Sequence, residues 1–267
     1  MKDHCLELTA RQSTPASKYN ILREYAQAYV LKLLQDAGQF RHYAFVGGTA
    51  LRFLYDLPRF SEDLDFSVVT PSPLAFGDLM ARIKRDLLLA GYQADVVYND
   101  TRTVWSAFIK FEGLLFEARL SPMKSAKFSI KVDIDTKPPA GAVVVTTLVN
   151  KFFPVAFLTY DLPSLFAGKT HAILCRTYIK GRDFYDVAWY LSRKKGLQPN
   201  MNLLAAALAQ TGWAGEPVTE ASWRKVLGQR VAQADWKVVE RDVVNFLERP
   251  DDLQVLTREN LLALIGV

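Results

Sequence analysis

The stretch FVGGTALRFLYDLPRFSEDLDF, Phe45 to Phe66, limits what this chain can be more than any other. An apolar run, Tyr43 to Val46, leads into Gly47 and Gly48. Thr49 to Tyr55 then reads as a short helix with Leu51 and Leu54 on one side, and Leu57-Pro58 ends it. Ser61 to Val69 reads as a strand in which Leu64, Phe66 and Val68 alternate with Asp63, Asp65 and Ser67. Carboxylates at i and i+2 of a strand project from the same face. Two such acids repel unless something positive sits between them. Mg²⁺, typically held by one or two carboxylates plus substrate phosphates, answers that need. The glycines allow the backbone to approach a phosphate, and the helix N-terminus after them favours an anion. The expectation is a phosphate cradle, at Gly47, Gly48 and the helix start after them, followed by a metal clamp, Asp63 and Asp65.

Either half alone is commonplace: a Gly-Gly before a helix is a tight turn, and an Asp-x-Asp is a solvated strand face. The combination of strand, Gly-Gly, helix, strand and Asp-x-Asp is far more specific. It resembles the signature of the polymerase-β-like nucleotidyltransferases. The usual Gly-Ser is here Gly47-Gly48-Thr49, so the hydroxyl stands one place late.

The bulk composition narrows the class. With 267 residues, half of them hydrophobic, the chain can bury a sizeable core. No apolar run is long enough to span a bilayer, and the polar start MKDHCLELTARQSTP lacks the apolar core of a signal peptide. Two distant cysteines, Cys5 and Cys175, suggest a reducing compartment, hence the cytoplasm, and no disulfide framework. Three histidines make a zinc site an improbable expectation. Residues 1–109 carry 12 basic and 12 acidic side chains, residues 110–195 carry 14 and 7, and residues 196–267 carry 7 and 9. The positive surplus of the net charge of +5 therefore sits mid-chain, which suits a polyanionic partner as well as a merely soluble surface.

Along the chain, residues 1–17 read as polar and loosely ordered, and Lys18 to Asp36 as an amphipathic helix. Leu74 to Ala90 reads as a second helix, and Tyr92 to Tyr98 and Val104 to Phe111 as strands, with a further strand expected in 112–121. In KFSIKVDID, Lys127 to Asp135, Phe128, Ile130, Val132 and Ile134 face one way and Lys131, Asp133 and Asp135 the other. An acid here could complete a metal site, with Asp133 the first choice and Asp135 the second. Lys131 could equally just balance these acids on a solvent face. Val143 to Leu148 and Phe152 to Tyr160 suggest sheet interior or a hairpin.

Asp161-Leu162-Pro163 starts a helix that runs to about Arg176, with Lys169 and Arg176 seven apart on one face, suited to phosphate oxygens or to a solvated stripe. The next helix opens GRDFYDVAWYLSR, where Asp183 and Asp186 are neighbours and either could accept a proton from an attacking hydroxyl. Arg182 and Asp186, i and i+4, could form a salt bridge. His171 reads as a satisfied core or surface histidine, and Cys175 as a small buried hydrophobe. Residues 196–267 read as helices without a catalytic constellation, and Trp213, Trp223 and Trp236 as packing anchors.

Four blocks, GGTALRFLYDLPRFSEDLDF, FSIKVDIDTKPP, DLPSLFAGKTHAILCR and KGRDFYDVAWYLSR, together resemble the AbiEii/AbiGii family of nucleotidyltransferase toxins, in the family's order and over more than half the chain. The resemblance implies a polymerase-β-like α/β (α+β) domain with a mixed sheet, residues 1–160, followed by a helical C-terminal domain, residues 161–267. It implies Mg²⁺-dependent transfer of a nucleoside monophosphate from an NTP, by the toxin of a toxin–antitoxin or phage-defence pair. Some members modify tRNA 3′ ends, so RNA is the expected acceptor and an antitoxin a possible partner, with no membrane involved. Carried over, Gly47, Gly48 and Thr49 would hold the triphosphate, Asp63, Asp65 and Asp133 (or Asp135) the metal, Lys169 and Arg176 the nucleotide phosphates, and Asp183 or Asp186 would be the base. Two rivals remain: transfer to a protein or small-molecule hydroxyl, and a non-catalytic binding protein on the same fold.

Overall fold

A computed structural model describes residues 1–193 and 196–267. The chain divides into two compact units. The first comprises residues 1–55, 60–138 and 146–159, and the second residues 56–59, 139–145 and 160–267. The chain therefore crosses between them at 55/56, 59/60, 138/139, 145/146 and 159/160.

The first unit is built on a seven-stranded mixed sheet. In chain order its elements are α1 (Lys2–Ala10), α2 (Pro15–Asp36), β1 (Tyr43–Val46), α3 (Gly47–Tyr55), β2 (Leu64–Val68), α4 (Phe76–Leu89), β3 (Gln93–Asn99), β4 (Val104–Glu112), α5 (Leu114–Glu117), β5 (Phe128–Asp135), β6 (Val144–Asn150) and β7 (Pro154–Tyr160). The strand order is β3-β4-β5-β2-β1-β7-β6. β1 runs antiparallel to β2 and parallel to β7; β2 runs parallel to β5; β4 is antiparallel to both β5 and β3. Strand alternation sends Phe66, Ala107, Ile109, Phe111, Phe128, Ile130, Val132 and Ile134 into one core with the apolar faces of α2 and α4. Asp65, Ser106, Phe108, Lys131 and Asp133 are left on the opposite, open face of β2, β4 and β5, and none of them is buried.

Several local expectations change. Residues 2–10 form a helix because tertiary contacts supply what their polar sequence does not: Cys5 and Thr9 are fully buried and Lys2 pairs with Glu117 at 2.8 Å. α2 begins at Pro15, where Thr14 and Ser17 form a reciprocal capping box. The strand expected in 112–121 is α5 instead; Gly113 adopts φ 68°, a left-handed turn that ends β4, and Leu114 and Leu115 are buried. β7 lies inside the sheet, whereas β6 forms its edge with Leu148 exposed.

The second unit is helical: α6 (Leu162–Cys175), α7 (Gly181–Arg193), α8 (Met201–Gln210), α9 (Trp223–Gln233), α10 (Trp236–Val243), α11 (Asp252–Val255) and α12 (Arg258–Ile265). Asp161 caps α6 by accepting from the Ser164 N–H at 2.9 Å. Gly181 opens α7 where a Cβ would collide with the Val239 carbonyl of α10, so only glycine permits that packing. Trp223 packs edge-on to Phe166, and Trp236 edge-on to Phe184, as packing anchors do. Trp213 donates from its indole N–H to the Glu216 carbonyl at 2.9 Å.

Candidate active site

In the sheet unit, the glycine turn and the Asp-x-Asp are one construction. Val46 stands opposite Asp65 in the β1–β2 ladder, so Gly47 begins α3 beside that acid. Gly47 has φ 79°, and a Cβ there would strike Asp65 Oδ2; glycine is required on both counts. The Thr49 hydroxyl, fully buried, donates to the Asp63 carbonyl and ties the helix start to the strand that carries the acids. That leaves the backbone N–H groups of Gly47–Thr49, rather than the Thr49 side chain, to face an anion. From beneath, α2 contributes Gln27, whose amide donates to the carbonyls of Ser61 (3.1 Å) and Glu62 (2.9 Å). The buried Arg52–Glu24 pair, 2.6 Å, clamps α3 to α2.

Across the parallel β2–β5 ladder, Asp65 stands opposite Asp133 and Ser67 opposite Asp135. Asp133 accepts from Ser106 (2.6 Å) and Lys131 (2.5 Å), whereas Asp135 accepts from the Lys137 N–H at 2.9 Å. Burial alone would lower the Lys131 pKa, yet it lies above its ordinary value because Asp133, by hydrogen bond and charge, and Asp63 and Asp65, by charge, favour the ammonium. Lys131 therefore registers the joint field of three carboxylates. Hard oxygen donors on neighbouring strand positions fit a divalent cation in chemistry and register. They do not converge as they stand: among the described residues no three acidic, His or Cys side chains form a metal-holding group. Asp133 is turned to Lys131 and Ser106, and would need to exchange one of them for the ion.

The helical unit holds the second set. Asp186, fully buried, receives Arg59 Nε on Oδ1 and Arg59 Nη2 on Oδ2, both at 2.6 Å, and Lys169 Nζ at 2.7 Å. Asp183, 2% exposed, takes Lys169 Nζ at 2.9 Å and has Arg176 Nε at 3.5 Å. Burial pushes the Asp183 pKa up, but Lys169 and Arg176 outweigh it and hold it below the usual carboxylate range. Lys169 is raised despite burial, by Asp183 and Asp186. Asp183, Arg176, Lys180, Tyr178 and Arg230 line a cavity of about 210 Å³ in this unit. Lys180, on the same wall, has its pKa lowered, by burial first and then by the neighbouring Arg182. Arg182 pairs with Asp242 at 3.5 Å and lies 3.9 Å over the Phe246 ring. His171 meets the Thr211 hydroxyl at 3.0 Å, as a packing residue would, while Cys175 is only half-buried.

The chain matches a known family. The sequence profile of the nucleotidyl transferase AbiEii toxin of type IV toxin–antitoxin systems matches residues 30–258. The chain belongs to the AbiEii nucleotidyltransferase toxin family. The fold agrees: JHP933 from Helicobacter pylori superposes with a TM-score of 0.54 at 16% identity, over 91% of this chain and 89% of that one. A second H. pylori protein, described as a candidate nucleotidyltransferase, gives 0.54 at 17%, over 92% and 93%. No curated protein matches the chain in sequence. Among the described residues, no helix of this AbiEii-family chain is long and apolar enough to cross a membrane.

Sequence reasoning missed Arg59, Ser106 and Lys180. Arg59 was in view, beside Pro58 in the opening stretch, but its partner Asp186 lies 127 residues away and no local spacing announces the pair. Ser106 is a small polar residue on a strand, without a pattern of its own. Lys180 directly precedes Gly181, and only its place on the cavity wall singles it out.

Proposed function

We propose that this AbiEii-family enzyme transfers a nucleoside monophosphate from an NTP to a hydroxyl of RNA, with the 3′ end of tRNA as the favoured acceptor, and that this is the toxic activity its antitoxin restrains. The observation that carries the reading is the joint construction of Gly47 and Asp65, with Asp133 in register beside them. The basic surplus of residues 110–195 favours a polyanionic acceptor over a neutral one.

In this reading the acceptor hydroxyl attacks the α-phosphorus, the bond to pyrophosphate breaks, and a carboxylate takes the hydroxyl proton. The backbone N–H groups at the start of α3 hold phosphate oxygens. Asp63, Asp65 and Asp133 would hold a divalent cation, Mg²⁺ by donor type, which supplies neutralisation of the phosphate charge. Arg176, the more exposed and more loosely paired cation at 3.5 Å from Asp183, is assigned to phosphate oxygens, with Lys169, held between Asp183 and Asp186, adding its charge beside it. Asp186 has Arg59 on both oxygens and so serves to hold Lys169 and Arg59; Asp183, at the cavity wall, is the acid left for the proton. Such chemistry depends on positioning and charge more than on covalent catalysis.

The test is incubation with each labelled NTP, bulk tRNA and Mg²⁺, with and without chelator. Labelled tRNA that disappears with chelator is expected. Failure of every NTP to label any RNA, in a preparation that labels a protein or small molecule, would overturn the acceptor assignment. A wild-type protein as harmless to cells as Asp63→Ala would overturn the toxin reading.

A further inference from the structure

We infer that the open sheet face beyond Asp133 seats the acceptor, and that Phe108, with Val97 beside it, is the platform on which an unpaired nucleobase at the RNA 3′ end stacks. The inference rests on the transfer reading above and names where its second substrate lies.

In an in-line displacement the attacking and leaving oxygens occupy opposite sides of the phosphorus. The strands run β3-β4-β5-β2-β1, and the glycine turn that would hold the leaving end follows β1. The carboxylates stand on β2 and β5, in the middle of that series. The nucleophile must then arrive over β5, β4 and β3, all within the same unit.

What that side presents is specific. Ser106 stands opposite Asp133 and donates to it at 2.6 Å. Phe108 stands opposite Lys131, whose ammonium lies 6.0 Å from the ring centroid. Val97 stands opposite Phe108 on the neighbouring strand. Diagonal neighbours in such a ladder are about 7–8 Å apart, so Phe108 begins roughly one ribose-to-base span from Asp133. The Phe108 ring is 42% exposed and Val97 49%, while Ala107 and Ile109 on the other face are fully buried. The core is complete without Phe108, so its aromatic ring on the open face calls for a different partner.

The flanking charge selects the occupant. Lys110 lies two residues along β4 from Phe108, across from Asp95, and Lys131 lies directly across from Phe108 on the same face. Lys131, now held by Asp133, is placed for a backbone phosphate once Asp133 exchanges it for the cation. A π-face beside a cation, continuous with the carboxylates assigned to the metal, fits a single-stranded RNA end. A second copy of this chain would need several times the area of two side chains.

The experiment separates the two substrates. Steady-state labelling is measured for wild type, Phe108→Ala and Phe108→Tyr, varying tRNA and NTP independently, with thermal unfolding as the check on folding. Phe108→Ala should raise the KM for tRNA by on the order of ten- to a hundred-fold, as loss of one aromatic–base stack does, and leave the KM for NTP unchanged. Phe108→Tyr, which keeps the ring, should remain close to wild type. Should the alanine variant unfold, Phe108→Leu, which keeps apolar bulk and loses the π-face, carries the same expectation. An unchanged tRNA KM in a folded variant refutes the platform while leaving the transfer reading intact. A rise in the NTP KM instead assigns the ring to the nucleotide and refutes the acceptor seat. Conversion of a dimer to monomer by Phe108→Ala, with tRNA kinetics unchanged, makes the patch a contact between copies. A wild type that labels no RNA overturns both readings together.

Discussion

The acids of the sheet unit and those of the helical unit are the same residue type held in opposite ways. Asp133 sits on an open strand face, its side chain 19% exposed, with a hydroxyl and an ammonium as partners it can exchange. Asp186 is fully buried between Arg59 and Lys169, and Asp183 is 2% exposed. A carboxylate in contact with water keeps part of its hydration and tolerates a change of partner. A carboxylate without water must be paired wherever it stands, because an uncompensated buried charge costs several kcal/mol. The first arrangement suits a site that takes up and releases a cation with each turnover. The second suits a frame that keeps cations charged and aimed. The comparison predicts that the same kind of substitution should strike activity alone in the sheet unit and stability as well in the helical unit.

The largest effect is expected at Asp65. Asp65→Asn keeps the shape beside Gly47 and removes one charge from the group that Lys131 senses. Nucleotidyl transfer should fall by at least on the order of 100- to 1000-fold, the scale of losing one preorganised electrostatic contact. The melting temperature should stay near that of wild type, since like charges lose a repulsion. Labelled-NTP assays and calorimetry on one preparation decide it. Unfolding of Asp65→Asn would make the sheet acids structural and erase the contrast.

How much of this contrast could be read from sequence follows from its physics. Asp63 and Asp65 were legible because strand period and the nearby glycines lie within one stretch, and the β2–β5 register bears out the alternation that put Asp133 and Asp135 on the polar face. The choice of Asp133 over Asp135 as Asp65's neighbour needed that register, which a one-residue slip would alter. Lys169, Asp183 and Asp186 were legible as residues, but their burial was not, because spacing along a helix does not say which face meets the core. The pairing of Arg59 with Asp186 was invisible: long-range ion pairs have no sequence period. The helix at residues 2–10 has no local signal because its stability comes from Cys5 and Thr9, buried against segments later in the chain.

Arg59 ranks next. Arg59→Met leaves Asp186 buried with Lys169 alone and should destabilise the protein by about 3–5 kcal/mol, read by denaturant unfolding. Arg59→Met combined with Asp186→Leu removes both charges and should recover most of that loss, since Lys169 retains Asp183. Absence of recovery would mean that Arg59 or Asp186 holds more than their mutual pair.

The same pairs set a pH dependence. Asp183 is held below its unfolded pKa, so its contribution is present above the ordinary carboxylate value of about 3.9 and is lost as pH falls through the folded value. Lys169 is held above its unfolded value, so its contribution is complete below about pH 10.4 and is lost as pH rises through the folded value. Stability should plateau between these limits. Asp183→Asn should lower the plateau and flatten its acid limb, which unfolding curves from pH 2 to 7 would show.

The smallest effect tests whether the helical unit's network is finished or still lacks an anion. Lys180 runs against Lys169: burial, and then Arg182, hold its pKa below the unfolded value, so its charged form is disfavoured in the fold at neutral pH. That cost is fully present below the folded pKa and is relieved as pH rises toward the unfolded one. Lys180→Met should therefore stabilise the protein slightly, by about 2–4 °C if the gain is near 1 kcal/mol. Pyrophosphate, placed in the cavity beside Lys180 and Arg176, should reverse the sign by giving the ammonium a partner. Wild type should then gain more from pyrophosphate than Lys180→Met does. Equal gains would mean that the anion binds elsewhere, and that Lys180 is a misfit the fold tolerates rather than one it keeps for a phosphate.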